Sequence, residues 1–156
     1  MKNLLLMFAL SILSIFSYGQ TFMLQSIVAP NVQKTITIDE MLKAPQDFDL
    51  STKDTEFLRR VKRGTVKIAD EKDGIEIVSC SIEDFFLHGG MFFEKDADTD
   101  NRFLYKDTDG VVLYEIKLKT LMGYYRGFSL DVYKDEAFWP WKKEMKKQVS
   151  FVFERK

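Results

Sequence analysis

The stretch "RFLYKDTDGVVLYEIKLK", residues 102–119, predicts two β-strands joined by a turn at Asp109-Gly110. An Asp-Gly pair is typical of a tight hairpin because glycine accepts a positive φ without steric cost. Apolar and polar residues alternate in the second strand, so one face should pack on a core and the other should face water. The residues predicted to face the core are Val112, Tyr114, Ile116 and Leu118, and those predicted to face water are Glu115, Lys117 and Lys119.

Strand patterns continue on both sides of this pair and indicate a larger antiparallel sheet. A second hairpin is predicted upstream, with its turn near Asp73-Gly74. Residues 20–34 show no clear period and are expected to form an extended lead-in. The other segments predicted as strands are "TVKIADEKDGIEIVSC" (65–80, two strands), "MFFEK" (91–95), "GFSLDVY" (127–133) and "VSFVFER" (149–155).

Two predicted helices begin at residues that cap helix N-termini. In "TIDEMLKAP", Thr37 and Glu40 have the spacing of a capping box. In "DLSTKDTEFLRRVKRG", Ser51 is the predicted N-cap, and Gly64 is the predicted left-handed stop. The second helix has one narrow apolar stripe, so it should lie on the surface and pack on one side.

The order of these elements predicts an α+β fold. A third short helix is predicted in "SIEDFFLHGG", residues 81–90, and no β-α-β unit repeats along the chain. We therefore expect one small domain over residues 20–156. Its mainly antiparallel sheet should consist of a hairpin plus a meander, with two or three short helices packed on one face.

Residues 1–19 have the features of a secretory signal peptide. An apolar run follows a single lysine, and Ser17 and Gly19 occupy the small-residue positions of a cleavage site. The run is shorter than the ~20 residues of a membrane-spanning helix. We expect an exported protein, periplasmic or secreted, whose mature chain begins at Gln20. An uncleaved N-terminal anchor is the alternative, whereas a lipoprotein is not expected because the one cysteine, Cys80, lies far from this segment.

The composition favours a folded domain that does not bind nucleic acid. The chain has 14 Phe, 6 Tyr and 2 Trp, which is more aromatic surface than a disordered chain carries. Its formal net charge is −1, so a basic nucleic-acid-binding surface is not expected. A single cysteine forms no disulfide within the chain, and stability must come from packing.

The segment "EKDADTDNRFLYKDTDG", residues 94–110, spaces its aspartates almost as a calcium-binding loop does. Asn101 stands at the usual glycine position, and Asp107 stands where glutamate usually supplies both oxygens. If residues 102–106 form a strand, Asp107 lies ~17 Å from the other aspartates. The alternative is an acidic turn whose side chains cap their own backbone. The candidate metal ligands are Asp96, Asp98, Asp100 and Asp107.

The segment "AFWPWKKEMKKQ", residues 137–148, combines aromatic and basic side chains. Such a combination suits either a peripheral membrane contact or an aromatic plug beside the sheet, and the plug is favoured. The basic end of the second helix offers another exposed contact. The candidate binding residues are Phe138, Trp139, Trp141, Lys142, Lys143, Arg59 and Arg60.

No catalytic constellation is specified by the sequence. Cys80 and His88 could pair as nucleophile and base, but along a helix they would lie ~12 Å apart. We expect a non-enzymatic binding or accessory protein without a resident cofactor, whose partner is an envelope or extracellular protein or a small ligand. The alternatives are a calcium-stabilised surface module and a hydrolase that uses two carboxylates facing each other in a pocket.

Overall fold

The computed structural model describes residues 19–28, 35–135 and 145–156, which form a closed antiparallel β-barrel. Eight strands follow one another around the barrel in the order β1-β3-β4-β5-β6-β7-β8-β9, and β9 pairs with β1 to close it. The short β2 pairs only with the end of β1. The strands are β1 (Gln20–Val28), β2 (Ile36–Thr37), β3 (Thr65–Glu71), β4 (Gly74–Cys80), β5 (Phe92–Lys95), β6 (Arg102–Lys106), β7 (Val112–Leu121), β8 (Tyr124–Asp135) and β9 (Met145–Arg155).

The α+β prediction, with helices packed on one face of a hairpin and a meander, is therefore wrong. The expected lead-in contains β1, the strand that joins the two edges of the sheet. Its register shifts between Leu24 and Ser26, so Gln25 interrupts the alternation of apolar and polar residues. Because of this bulge, residues 20–28 do not show the strict alternation by which a strand is recognised in a sequence.

Aromatic side chains fill the barrel interior. Phe128 of β8 stacks on Phe153 of β9, with ring centroids 4.4 Å apart. Phe22 of β1 meets Phe128 edge to face at 5.2 Å, and all three side chains are fully buried. Strand residues that face inward thus form a packed core, as in small barrels whose lumen is occupied by side chains.

Two of the three predicted helices are confirmed, together with their N-caps. Helix α1 spans Ile38–Lys43, a 3₁₀ turn spans Pro45–Phe48, and helix α2 spans Thr52–Arg63. Thr37 caps α1 in a capping box, and Ser51 caps α2 in the same way. No helix in the described part of the chain is long and apolar enough to cross a membrane.

The helices lie at one end of the barrel, here called the helical end. They lie between β1 and β3 in the chain, so they are at the end of the barrel where β1 ends and β3 begins. Met41 of α1 and Leu58 of α2 are buried in the same cluster as the barrel interior. The opposite end carries the turns β3–β4, β5–β6 and β7–β8 and is called the hairpin end.

The third predicted helix, residues 81–90, is an irregular loop. Its Phe85 ring packs 5.0 Å from Phe151 and closes the core at the helical end. The prediction for Gly64 is also wrong, because this residue has an extended backbone with φ −74° and ψ 151°. Glycine is needed there for space: a Cβ atom would lie 2.2 Å from Cγ1 of Ile82.

At the hairpin end, Tyr125 of β8 contacts β3, from which it is separated by β9 and β1 in the order of the sheet. Its hydroxyl donates to Oδ1 of Asp70 at 2.7 Å, while its ring packs against the core. Burial, followed by the hydrogen bond and negative charge of Asp70, raises the pKa of Tyr125 to about 12. The neutral phenol is therefore the form that the folded barrel stabilises.

Tyr125→Phe should lower the free energy of unfolding by about 1 kcal/mol at pH 7, because one hydrogen bond is lost. In the wild-type protein the raised pKa contributes stability that is complete below the ordinary value of 10.0 and is lost as the pH rises through about 12. After allowance for partial exposure, that loss should reach at most about 2 kcal/mol. Urea titrations at pH 9 and pH 11.5 measure it, and an identical alkaline loss in Tyr125→Phe would contradict this assignment.

Candidate binding face on the outside of the barrel

A row of side chains runs around the outside of β6 to β9. The strand register places Leu104 opposite Glu115, Glu115 opposite Asp131, and Asp131 opposite Ser150. Glu115, predicted to face water, is on the outer face but only 1% exposed. Its burial follows from the long side chains of the neighbouring strands, which lie over it.

Glu115 is held by two cations. Nη2 of Arg102 donates to its Oε2 at 2.8 Å, and Nζ of Lys117 lies 2.7 Å from its Oε1. Burial alone raises the pKa of this carboxyl, but the hydrogen bonds and charges of Arg102 and Lys117 exceed that effect. The net result is a lowered pKa, so Glu115 remains an anion at neutral pH.

Asp131 shares one of these cations. Lys117 Nζ is 3.5 Å from its Oδ2, Lys147 Nζ is 3.3 Å from the same oxygen, and the Ser150 hydroxyl donates to Oδ1. Two carboxylates directly opposite each other in a sheet repel, but Lys117 bridges them. The hydrogen bond to Glu115 is the first cause of the raised pKa of Lys117, which keeps the bridge charged.

This cluster is built as an ion-pair network and not as a pair of catalytic carboxylates. An acid–base pair needs two environments that separate the pKa values, so that one group is protonated near neutral pH. Here cations stabilise the charged form of Glu115, and Lys117 lies between the two carboxylates. The pair also lies on the convex outer wall, whereas the hydrolase alternative requires a pocket. Nε of Arg102 is buried and finds no hydrogen-bond acceptor among the described residues.

A shallow groove borders the cluster at Leu104. Leu104 is 9% exposed but does not belong to the interior core, because it points outward beside Glu115. Phe92 of β5 is 40% exposed and lies next to it. The groove has a volume of about 350 Å³ and is rimmed by Glu94, Lys106 and the turn after β6. Lys106 and Glu94 form an ion pair of 3.6 Å across it.

The structure does not bring the four candidate metal ligands together. Residues 102–106 form β6, so Asp96, Asp98 and Asp100 lie at the hairpin end while Asp107 lies at the helical end. Within the described ranges, no three His, Cys, Asp or Glu side chains are arranged to hold a metal ion.

Three of the aspartates instead make contacts within or beside their turns. Oδ1 of Asp107 accepts hydrogen bonds from the backbone N–H of Asp109 at 3.0 Å and of Val111 at 2.8 Å. Asp96 accepts from Arg102 at 3.1 Å, and Asp100 pairs with Lys95 at 3.1 Å. Asp107 thus caps the backbone of its own turn, whereas Asp96 and Asp100 form side-chain ion pairs.

The remaining sequence candidates are dispersed. Arg59 and Arg60 are exposed on α2, where Arg60 lies 3.9 Å from Glu83. Burial raises the pKa of the Cys80 thiol, which faces the carbonyl oxygen of Ile82. His88 lies on an exposed loop, and its ring is near the carbonyl oxygen of Gly89. The candidates that lie outside the described residues are Phe138, Trp139, Trp141, Lys142 and Lys143.

Sequence reasoning missed the cluster because its members come from four strands. Alternation alone put Glu115 and Lys117 on one face, and that placement is confirmed. Their partners Arg102, Asp131 and Lys147 become neighbours only through the register of β6 to β9. No protein-family model matches the chain, and no curated protein or solved structure shows significant similarity to it.

Proposed function

We propose that the protein is an exported accessory protein that binds a protein partner at the outer groove between β5 and β6. The partner should present an apolar side chain flanked by polar or charged groups. Export is supported by the signal-like residues 1–19 and by the position of β1, which begins at Gln20. Removal of residues 1–19 would leave every strand of the barrel intact.

The exposure of Phe92 is the observation that carries this proposal. Its ring is 40% exposed beside the outward-facing Leu104, and charged side chains surround the two. An aromatic anchor in a depression with a polar rim is the arrangement of a binding hot spot, because the rim excludes water from the apolar contact. The adjacent ion-pair network links β6 to β9 beside this groove.

The packed interior favours recognition on the outer wall. Phe22, Phe128 and Phe153 occupy the space in which wider barrels hold a small ligand. A ligand inside this barrel would have to displace fully buried rings, whereas the groove is open to a partner without rearrangement.

Phe92→Ser should weaken partner binding by about tenfold or more, since it removes the apolar anchor of the groove. Val78→Ser is the matched control, because Val78 is 41% exposed on β4 but does not line the groove. It should change the affinity by less than about twofold, the expectation for a surface change of within ~0.5 kcal/mol. A photo-crosslinking amino acid at position 92 identifies the partner, and titration with the purified partner then measures the affinities.

The experiment is done with the mature protein recovered from the producing cells, whose N-terminal residue should be Gln20. Thermal unfolding of both variants verifies that they remain folded. Equal partner affinities for Phe92→Ser and the wild-type protein would reject the groove as the binding site. If the mature protein retains residues 1–19, the proposed cleavage of a signal peptide is wrong. The test of the groove is not affected by that result.

A further inference from the structure

Met122 differs from the other methionines in the described part of the chain by its exposure to water. Met122 is 89% exposed, whereas Met41 is 7% exposed and Met91 is 3% exposed. Met23 in β1 and Met145 in β9 are partly buried in the barrel wall. Among these five residues, Met122 is therefore the one whose side chain is freely reached by solutes.

The exposure of Met122 follows from the turn between β7 and β8. Met122 and Gly123 form this two-residue turn with φ values of 52° and 80°, and Leu121 pairs with Tyr124 at its base. The turn lies at the hairpin end, beyond the last paired residues of the two strands. Met122 does not belong to the hydrophobic core, so a chemical change of its side chain leaves the core packing undisturbed.

A solvent-exposed thioether is the methionine group that peroxides attack. The sulfur donates an electron pair to one peroxide oxygen, so that an S–O bond forms and the O–O bond breaks. The sulfur is oxidised by two electrons to the sulfoxide, and hydrogen peroxide is reduced to water, which keeps both of its protons. Because the peroxide must reach the sulfur, burial protects a methionine from this reaction.

Oxidation of a core methionine would have a different effect on the fold. Met91 lies in the core cluster, and its Sδ accepts a hydrogen bond from the backbone N–H of His88 at 3.4 Å. A sulfoxide at this position would bury an additional polar oxygen in apolar surroundings, which destabilises the folded state. The sulfoxide of Met122 would instead carry its oxygen in water.

We propose that Met122 is a reversible oxidation site of the folded protein, at which peroxides form a sulfoxide while the barrel stays intact. Methionine sulfoxide reductases restore the thioether, so the β7–β8 turn has an apolar and a polar state. The proposal goes beyond partner binding and does not depend on export. The groove at Phe92 extends toward the turn at the helical end, so oxidation at the hairpin end should leave its affinity for a partner unchanged.

Timed exposure of the folded protein to millimolar hydrogen peroxide, followed by mass spectrometry of its peptides, tests the proposal. Met122 should be oxidised within about twofold of its rate in urea, whereas Met41 and Met91 should be protected by about tenfold or more. Met122→Leu keeps an apolar side chain of similar size and should lack the first sulfoxide that forms.

The singly oxidised protein is then compared with the untreated protein. Its thermal unfolding midpoint should lie within about 2 °C of the untreated value, as for other changes on the surface. Reductases that act on both sulfoxide epimers should return it to its original mass.

Several results would overturn the proposal. One is protection of Met122 in the folded protein equal to that of Met41 and Met91. Another is earlier oxidation of Met23 or Met145, which would place the reactive site in the barrel wall. A fall of the unfolding midpoint beyond the stated limit would show that the Met122 thioether supports the fold. Failure of the reductases to restore the mass would exclude a reversible site.

Discussion

Phe128→Ala is expected to lower the free energy of unfolding by about 3–5 kcal/mol, the range for removing a fully buried phenylalanine. The ring lies at the centre of the barrel, stacked on Phe153 and edge-on to Phe22. Three strands converge on it, so the surrounding backbone has little freedom to collapse into the cavity that alanine leaves. Since small domains have only about 5–15 kcal/mol of stability in total, the variant should be close to its unfolding threshold.

Urea denaturation of the wild-type and variant proteins measures this loss. Phe86→Ala is the control, because Phe86 belongs to the loop at the helical end and is 39% exposed. Its cost should be about 1 kcal/mol, as the ring is already partly in contact with water. A loss below 1 kcal/mol for Phe128→Ala would show that the interior is not the continuous core described above.

Glu115→Gln is expected to lower the free energy of unfolding by about 2 kcal/mol at pH 7. The amide keeps the shape of the side chain but removes the charge that Arg102 and Lys117 contact. Breaking a fully buried ion pair costs about 3–5 kcal/mol. The smaller figure applies here because the Arg102 side chain is 36% exposed and that of Lys117 is 51% exposed, so both cations can turn toward water.

The effect of Glu115→Gln should depend on pH in one direction. The pKa of Glu115 in the folded protein lies below its ordinary value of 4.5, because Arg102 and Lys117 outweigh the effect of burial. The stabilisation is therefore complete above about pH 4.5 and disappears as the pH falls through the folded-state value. The difference between wild-type and variant should therefore shrink steadily as the pH falls below 4.5.

Urea titrations from pH 3 to pH 8 measure this dependence. Glu94→Gln is the matched control, since Glu94 is also paired with a lysine but its side chain is 65% exposed. Its effect should stay within about 0.5 kcal/mol at every pH. A Glu115→Gln difference that does not change with pH would contradict the ion-pair assignment.

Local features of the fold were predictable because they depend on nearby residues. The capping box at Thr37 and the N-cap at Ser51 formed as predicted, since each joins groups three residues apart. The turn at Gly110 has the expected positive φ of 79°. The third helix, residues 81–90, was predicted wrongly because the burial of Phe85 and Leu87 in the core overrides the helical pattern.

The candidate site was less predictable than the strands. The sequence pointed to the aspartates around β6, yet that strand separates Asp107 from the other three. It also pointed to Arg59 and Arg60, which lie on the exposed side of α2 and line shallow grooves there. The groove at Phe92 carried no signal in the sequence, because a phenylalanine in a strand is ordinarily a core residue.

By itself, the sequence determined most strands, two helices with their N-caps, and the alternation that places Ile116 inside and Glu115 outside. Only the tertiary structure decided that the sheet closes, because the pairing of β1 with β9 joins residues more than a hundred positions apart. The tertiary structure also decided which charged side chains form ion pairs. Alternation specifies the face on which a side chain lies, whereas its neighbours across the strands follow from a register that long-range packing sets.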